Sequence, residues 1–84
     1  MTSDGRPALR FYFRQDCHLC EDMWEHLQKL RQDWQFEIEA ITIDTDAELK
    51  AQHGARIPVL ETGVGDEICN YYLDQKTLIE YLES

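Results

Sequence analysis

Cys17-His18-Leu19-Cys20 sets two thiols three positions apart. At that spacing one thiolate can attack a disulfide, and the other can reach back to resolve the mixed disulfide that forms. The plain alternative is an incidental pair of small apolar residues, so the surroundings carry the decision. Arg14 and a protonated His18 would favour a thiolate at Cys17, whereas Asp16, Glu21 and Asp22 oppose it. With a helix N-terminus added to the favourable side, the expected outcome is a modest lowering of the Cys17 pKa below the free value of about 8.5. Zinc is the other chemistry open to cysteine pairs, and Cys17, His18, Cys20 and Cys69 supply donors. Structural zinc draws on a second ligand pair at short spacing, which is missing, and His18 adjoins Cys17 awkwardly for joint ligation. Three cysteines also fall short of the four thiolates of an iron–sulfur cluster. No metal is expected. His26 and His53 read as surface residues, and Trp24 and Trp34 as packing.

The positions of these residues depend on the elements around them. Leu9, Phe11 and Phe13 alternate with Arg10 and Tyr12, a period-two strand signature. After Arg14-Gln15-Asp16 the period changes, and Leu19, Met23, Leu27, Leu30 and Trp34 recur at helical spacing. Asp16 is the expected N-cap, which puts Cys17 at a helix N-terminus where unpaired N–H groups and the dipole favour an anion. Cys20, one turn further in, is expected to be more buried and less reactive. Phe36 to Ile43 reads as a second strand, with Phe36 and Ile38 on one face and Ile41 and Ile43 on the other. Thr45-Asp46-Ala47-Glu48 reads as a capping box opening a short helix, and Gly54 as the left-handed residue that ends it. Ile57 to Glu61 and Glu67 to Tyr72 read as two further strands joined by the glycine-rich turn Thr62 to Asp66. Asp74 can cap a last helix running to Leu82, with Leu73 and Leu78 at hydrophobic-staple spacing. Cys69, in the fourth strand, reads as a buried small hydrophobe. The order β-α-β-α-β-β-α predicts an α/β fold with a four-stranded mixed sheet flanked by three helices, over residues 1–84 as one domain.

Charge narrows the partners. The chain has 84 residues and a net charge of −9, from 17 acids against 8 bases. Such a field repels phosphate backbones and anionic lipids, so neither nucleic acid nor a membrane is expected as partner. Most of the acids read as solvated surface, with selection of a basic partner protein as their functional reading. Met1 to Pro7 is polar, and Leu9 to Phe13 is interrupted by Arg10 and too short for a leader or a membrane span. The expected setting is the cytoplasm and the expected state a monomer. A permanent disulfide framework is not expected there.

The succession strand, C-x-x-C, helix, strand, then Ile57-Pro58-Val59 at the head of a hairpin resembles the thioredoxin superfamily, and glutaredoxins in particular. Phe13-Arg14-Gln15-Asp16-Cys17-His18-Leu19-Cys20 is similar to the glutaredoxin signature, with Arg14 as the basic residue three places before the first cysteine. Pro58 stands 41 residues after Cys17 and looks like the cis-proline that faces the cysteines in this superfamily. Ile43-Asp44, then Asp46, Glu48 and Leu49, then Arg56-Ile57-Pro58-Val59-Leu60 are similar to small bacterial glutaredoxin-like family proteins. The resemblance implies a thioredoxin-like fold of glutaredoxin size and a dithiol oxidoreductase acting on a disulfide-containing protein or small thiol substrate. Cys17 and Cys20 would be catalytic, and Arg14, His18, Leu19, Ile57 and Pro58 would form the substrate groove. It implies no bound cofactor, with glutathione or a thioredoxin-type reductase as reductant. Two features depart from the family pattern. His18-Leu19 replaces the usual proline–tyrosine pair, and Asn70-Tyr71-Tyr72-Leu73 stands where a Gly-Gly pair leaves room for glutathione. Those tyrosines open a second reading, a protein-binding module of the same fold with little turnover. Arg56 reads either as a partner for a glutathione carboxylate or as an exposed charge.

Overall fold

The computed structural model describes residues 7–83. Most of the Met1–Pro7 stretch, and Ser84, lie outside them. In chain order the elements are β1 (Ala8–Phe13), α1 (His18–Leu30), β2 (Glu37–Thr42), α2 (Ala47–His53), β3 (Val59–Thr62), β4 (Glu67–Asn70) and α3 (Gln75–Glu83). The four strands form one sheet in the order β2-β1-β3-β4, with β2 parallel to β1 and the other two pairings antiparallel. This is the expected thioredoxin-like topology, a mixed sheet flanked by three helices.

The period-two pattern of β1 splits its side chains between two faces. Phe11 lies opposite Leu60 of β3 and beside Ala40 of β2, and its ring meets Trp24 of α1. Leu9, Leu27, Leu60 and Leu78 are at most 1% exposed. Each such side chain contributes about 1.5–3 kcal/mol by leaving water. Leu27 therefore pins α1 to the sheet two turns behind Cys20. On the opposite face Tyr12 stacks on His53, with ring centroids 4.2 Å apart, and His53 Nε2 lies 3.9 Å from Glu61 Oε2. Burial, and then the Glu61 carboxylate, push the Tyr12 hydroxyl pKa up. His53 is thus not the surface residue read from the sequence. It closes α2, and the helical turn lays it on the sheet.

Several boundaries differ from expectation for local reasons. Asp46, not Thr45, caps α2, because its carboxylate accepts the Glu48 and Leu49 N–H groups at 2.9 and 3.2 Å. Gly54 is not left-handed, with φ −54 and ψ −36. Glycine suits it for lack of a side chain, since a Cβ there would lie 2.5 Å from the Lys50 carbonyl oxygen. β2 is one residue shorter at each end than the expected Phe36 to Ile43. β3 begins at Val59, past Pro58, which has no N–H to give a ladder. β4 stops at Asn70 rather than Tyr72, because Tyr71 turns the chain with φ 64. The glycine turn behaves as expected, with Gly65 at φ 98 and Thr62 accepting from the Asp66 N–H at 3.2 Å.

Candidate active site

The chain leaves β1 at Phe13 and must reverse into α1 within four residues. The Asp44 carboxylate, at the end of β2, fixes this loop by accepting the Gln15 N–H at 3.0 Å. Asp16 then takes the left-handed conformation with φ 58, which a short polar side chain tolerates. That conformation removes Asp16 from the N-cap role expected of it. Cys17 has the extended backbone a cap needs, φ −111 and ψ 108, and its Sγ accepts the Cys20 N–H at 3.1 Å. The first cysteine therefore caps α1 itself. Its sulfur lies against unpaired N–H groups at the positive end of the helix dipole, where a thiolate is stabilised once the pair is reduced.

Cys17 and Cys20 are joined by a disulfide, with their Cα atoms 5.2 Å apart. They form a dithiol redox centre. Cys17 is half-buried, whereas Cys20 is 4% exposed, so approach from solvent is to Cys17. Cys69 is a free, buried cysteine whose thiol burial pushes up in pKa, in keeping with the hydrophobe expected there.

Helix α1 divides the surroundings of this disulfide. Cys17, Cys20, Glu21 and Trp24 line a cleft on one flank, together with Phe13, Arg14 and Ala40. Leu19, Asp22, Met23 and His26 line a second cleft with Tyr71, Tyr72 and Leu73. The two sets follow the same i, i+3, i+4, i+7 rhythm offset by two residues, about 200° round the helix. One cleft thus faces β2 and the other the end of β4.

Among the residues expected in a substrate groove, Arg14 joins both cysteines in the first cleft and Leu19 lies in the second. His18 is exposed beside them. Ile57 and Pro58 are buried, linked by a cis peptide bond, and Ile57 shares a core cluster with Cys20, on which Cys17 also packs. Arg56 is paired with the Glu67 carboxylate on the exposed rim. Tyr71, expected from the sequence to replace a glycine pair and to line the groove or offer a protein-contact surface, is also a structural tie. Its N–H donates to the Pro58 carbonyl at 2.9 Å and its hydroxyl to the Ala55 carbonyl, so one residue ties the β4–α3 turn to the segment leading into β3. The aromatic wall of the first cleft escaped the sequence reading as well, although Trp24 stands one helical turn after Cys20 and Phe13 four residues before Cys17.

Among the described residues, no group of three His, Cys, Asp or Glu side chains could hold a metal ion, and no helix is long and apolar enough to cross a membrane. Residues 8–83 match the family described as Glutaredoxin-like domain (DUF836). Protein Ne2328 from Nitrosomonas europaea, solved by solution NMR, is 37% identical, with a TM-score of 0.83 over 92% of each chain. The X-ray structure of XcR50 from X. campestris is 33% identical, with a TM-score of 0.67 over 89% of this chain and 95% of that one. Thioredoxin 1 from Thermosipho africanus shares the fold at 19% identity, with a TM-score of 0.62 over 90% of this chain and 94% of its own. No curated protein matches.

Proposed function

The chain belongs to the Glutaredoxin-like domain (DUF836) family, and we propose that residues 1–84 act as one domain that reduces disulfides in polypeptide or small thiol substrates. Cys17, as thiolate, attacks one sulfur of the substrate disulfide, forms a mixed disulfide and expels the other sulfur as a thiolate. Cys20 then gives up its proton and attacks Cys17 Sγ, which closes the Cys17–Cys20 disulfide and releases the second substrate thiol. Two electrons pass from the protein dithiol to the substrate. Glutathione or a thioredoxin-type reductase returns the pair to the dithiol, and a reducing cytoplasm suits that cycle. Leu19, Tyr71 and Tyr72, with His18 at the rim and Ile57 and Pro58 behind, form the groove that receives the substrate, and Arg14 stands across α1 from it, beside both cysteines.

The observation that carries this reading is the half-buried residue Cys17, whose sulfur caps α1 while disulfide-bonded to the buried Cys20. Equilibration over a range of reduced-to-oxidised glutathione ratios, acid quench and intact mass measurement test it. Reversible loss of two hydrogens should require both cysteines, and Cys20→Ser should trap a glutathione adduct on Cys17. Thiols that neither couple nor take the adduct would defeat the enzyme reading.

The second reading, a binding module with little turnover, is favoured by Tyr71 spanning Ala55 and Pro58 where glutathione would need space. Cys17→Ser separates the two, since it abolishes exchange and spares binding.

A further inference from the structure

The cleft on the β2 flank of α1 lies outside the groove assigned above. It touches both cysteines and encloses about 320 Å³. Its wall is aromatic, with the Phe11 ring 5.8 Å from that of Phe13 and 5.4 Å from that of Trp24. Phe13 and Trp24 are only half-buried, so part of that wall is accessible. β2 is an edge strand of the sheet, and Ala40 is exposed on it at the mouth of the cleft. Strand positions of this kind favour aromatic or β-branched side chains. The methyl group of Ala40 leaves the mouth open where any of those would close it.

Size and charge narrow the occupant. The volume sits at the lower end of the range for small-molecule sites, about 300–1,000 Å³, and fits one side chain better than a cofactor. The lining holds two carboxylates, Asp16 and Glu21, against a single cation, Arg14, on a chain of net charge −9. An occupant flanked by cations gains from that rim, and an anionic one loses. Glutathione has no aromatic group and carries two carboxylates, so it gains nothing here.

We propose that this cleft is a specificity subsite, which takes an aromatic side chain of a basic, disulfide-bearing polypeptide next to the cysteine that Cys17 attacks. A ring entering it meets ring faces and edges, which an aliphatic chain cannot match in quadrupole. Held there, it fixes the neighbouring substrate sulfur beside Cys17, so remote binding lowers the barrier to exchange. The effect on rate rests on the dithiol-exchange reading. The binding does not.

The test therefore has two arms. In the first, the oxidised protein is titrated with the thiol-free peptide acetyl-Lys-Gly-Phe-Gly-Lys amide, or its Ala counterpart, and followed by two-dimensional NMR. The Phe peptide should shift the Phe13 and Ala40 amides and the Trp24 indole, at least about tenfold more tightly than the Ala peptide. Ala40→Trp, which fills the mouth from an exposed position, should abolish those shifts. Ala40→Leu is a second filling variant, and the peptide comparison in the unaltered protein stands without either. Equal response to both peptides, no response, or shifts centred on Leu19, Tyr71 and Tyr72 overturn the subsite. In the second arm the reduced protein acts on disulfide peptides with Phe or Ala beside the cysteine. The Phe peptide should lead by about tenfold in kcat/KM, and the lead should collapse in Ala40→Trp. Equal turnover without shifts leaves exchange standing and refutes the subsite. Shifts at Ala40 and Trp24 with no turnover of any peptide refute exchange and uphold the subsite.

Discussion

Replacing Tyr71 by glycine should destabilise the protein less than replacing it by alanine, the reverse of the usual order for a structured position. Tyr71 has φ 64, in the left-handed region, where a residue with a Cβ costs about 1–2 kcal/mol. The side chain offsets this cost. It is 42% exposed, so its buried part contributes about 1–1.5 kcal/mol. Its hydroxyl adds a partly exposed hydrogen bond to Ala55, about 0.5–1 kcal/mol. Alanine loses both contributions and keeps the backbone cost, so it should destabilise by about 2 kcal/mol. Glycine loses the same contacts, recovers the backbone cost, and gives back about 0.5–1 kcal/mol as chain entropy. It should therefore stand about 0.5–1 kcal/mol above alanine. Phenylalanine loses only the hydrogen bond and should lie nearest to the parent. Urea unfolding, with slopes near 1 kcal/mol per molar for so small a domain, resolves the order Tyr, Phe, Gly, Ala. Alanine more stable than glycine would refute the strain assigned to this turn. The same variants report on access to the site. In a Cys20→Ser background, Tyr71→Gly should raise the yield of glutathione adduct on Cys17, because it restores the open space of a glycine.

Three further outcomes follow from particular contacts. Trp24 shares a cleft with the Cys17–Cys20 disulfide, and a disulfide quenches a neighbouring indole. Reduction should raise tryptophan emission, a change lost in Trp24→Phe and kept in Trp34→Phe. Leu27 is fully buried under α1, so Leu27→Ala should cost about 2–5 kcal/mol and lower the Tm by at least about 10 °C. Asp74 accepts from the Thr77 hydroxyl at 2.8 Å and the Thr77 N–H at 3.1 Å, and these bonds hold its carboxyl below the usual carboxylate range. A native pKa below the unfolded one gives stability that is present above about pH 4 and lost as pH falls through the native value. The gap between the parent and Asp74→Ala in urea midpoint should be constant from about pH 5 to 8 and shrink below about pH 4.

Much of this protein is local, and local features are legible in the chain itself. The period-two run from Leu9 to Phe13, the helical run after Cys17 and the glycine turn before Asp66 each declare their element through neighbours two to four residues apart. The redox pair is equally local, because three positions on a helix are within one turn. The burial of Cys20 follows from the same arithmetic. What the chain could not declare depends on residues far apart in sequence. Asp16 yields the N-cap to Cys17 in a loop held by Asp44, 29 residues further from Gln15. His53 is buried because β1 and β3 bring Tyr12 and Glu61 beneath it. The two clefts exist only once α1 lies on the sheet and its opposite flanks meet β2 on one side and the β4–α3 turn on the other. Side-chain type and spacing set the chemistry of the two thiols. Which side chains surround them is decided by the strand order β2-β1-β3-β4, a long-range pairing that no local window contains.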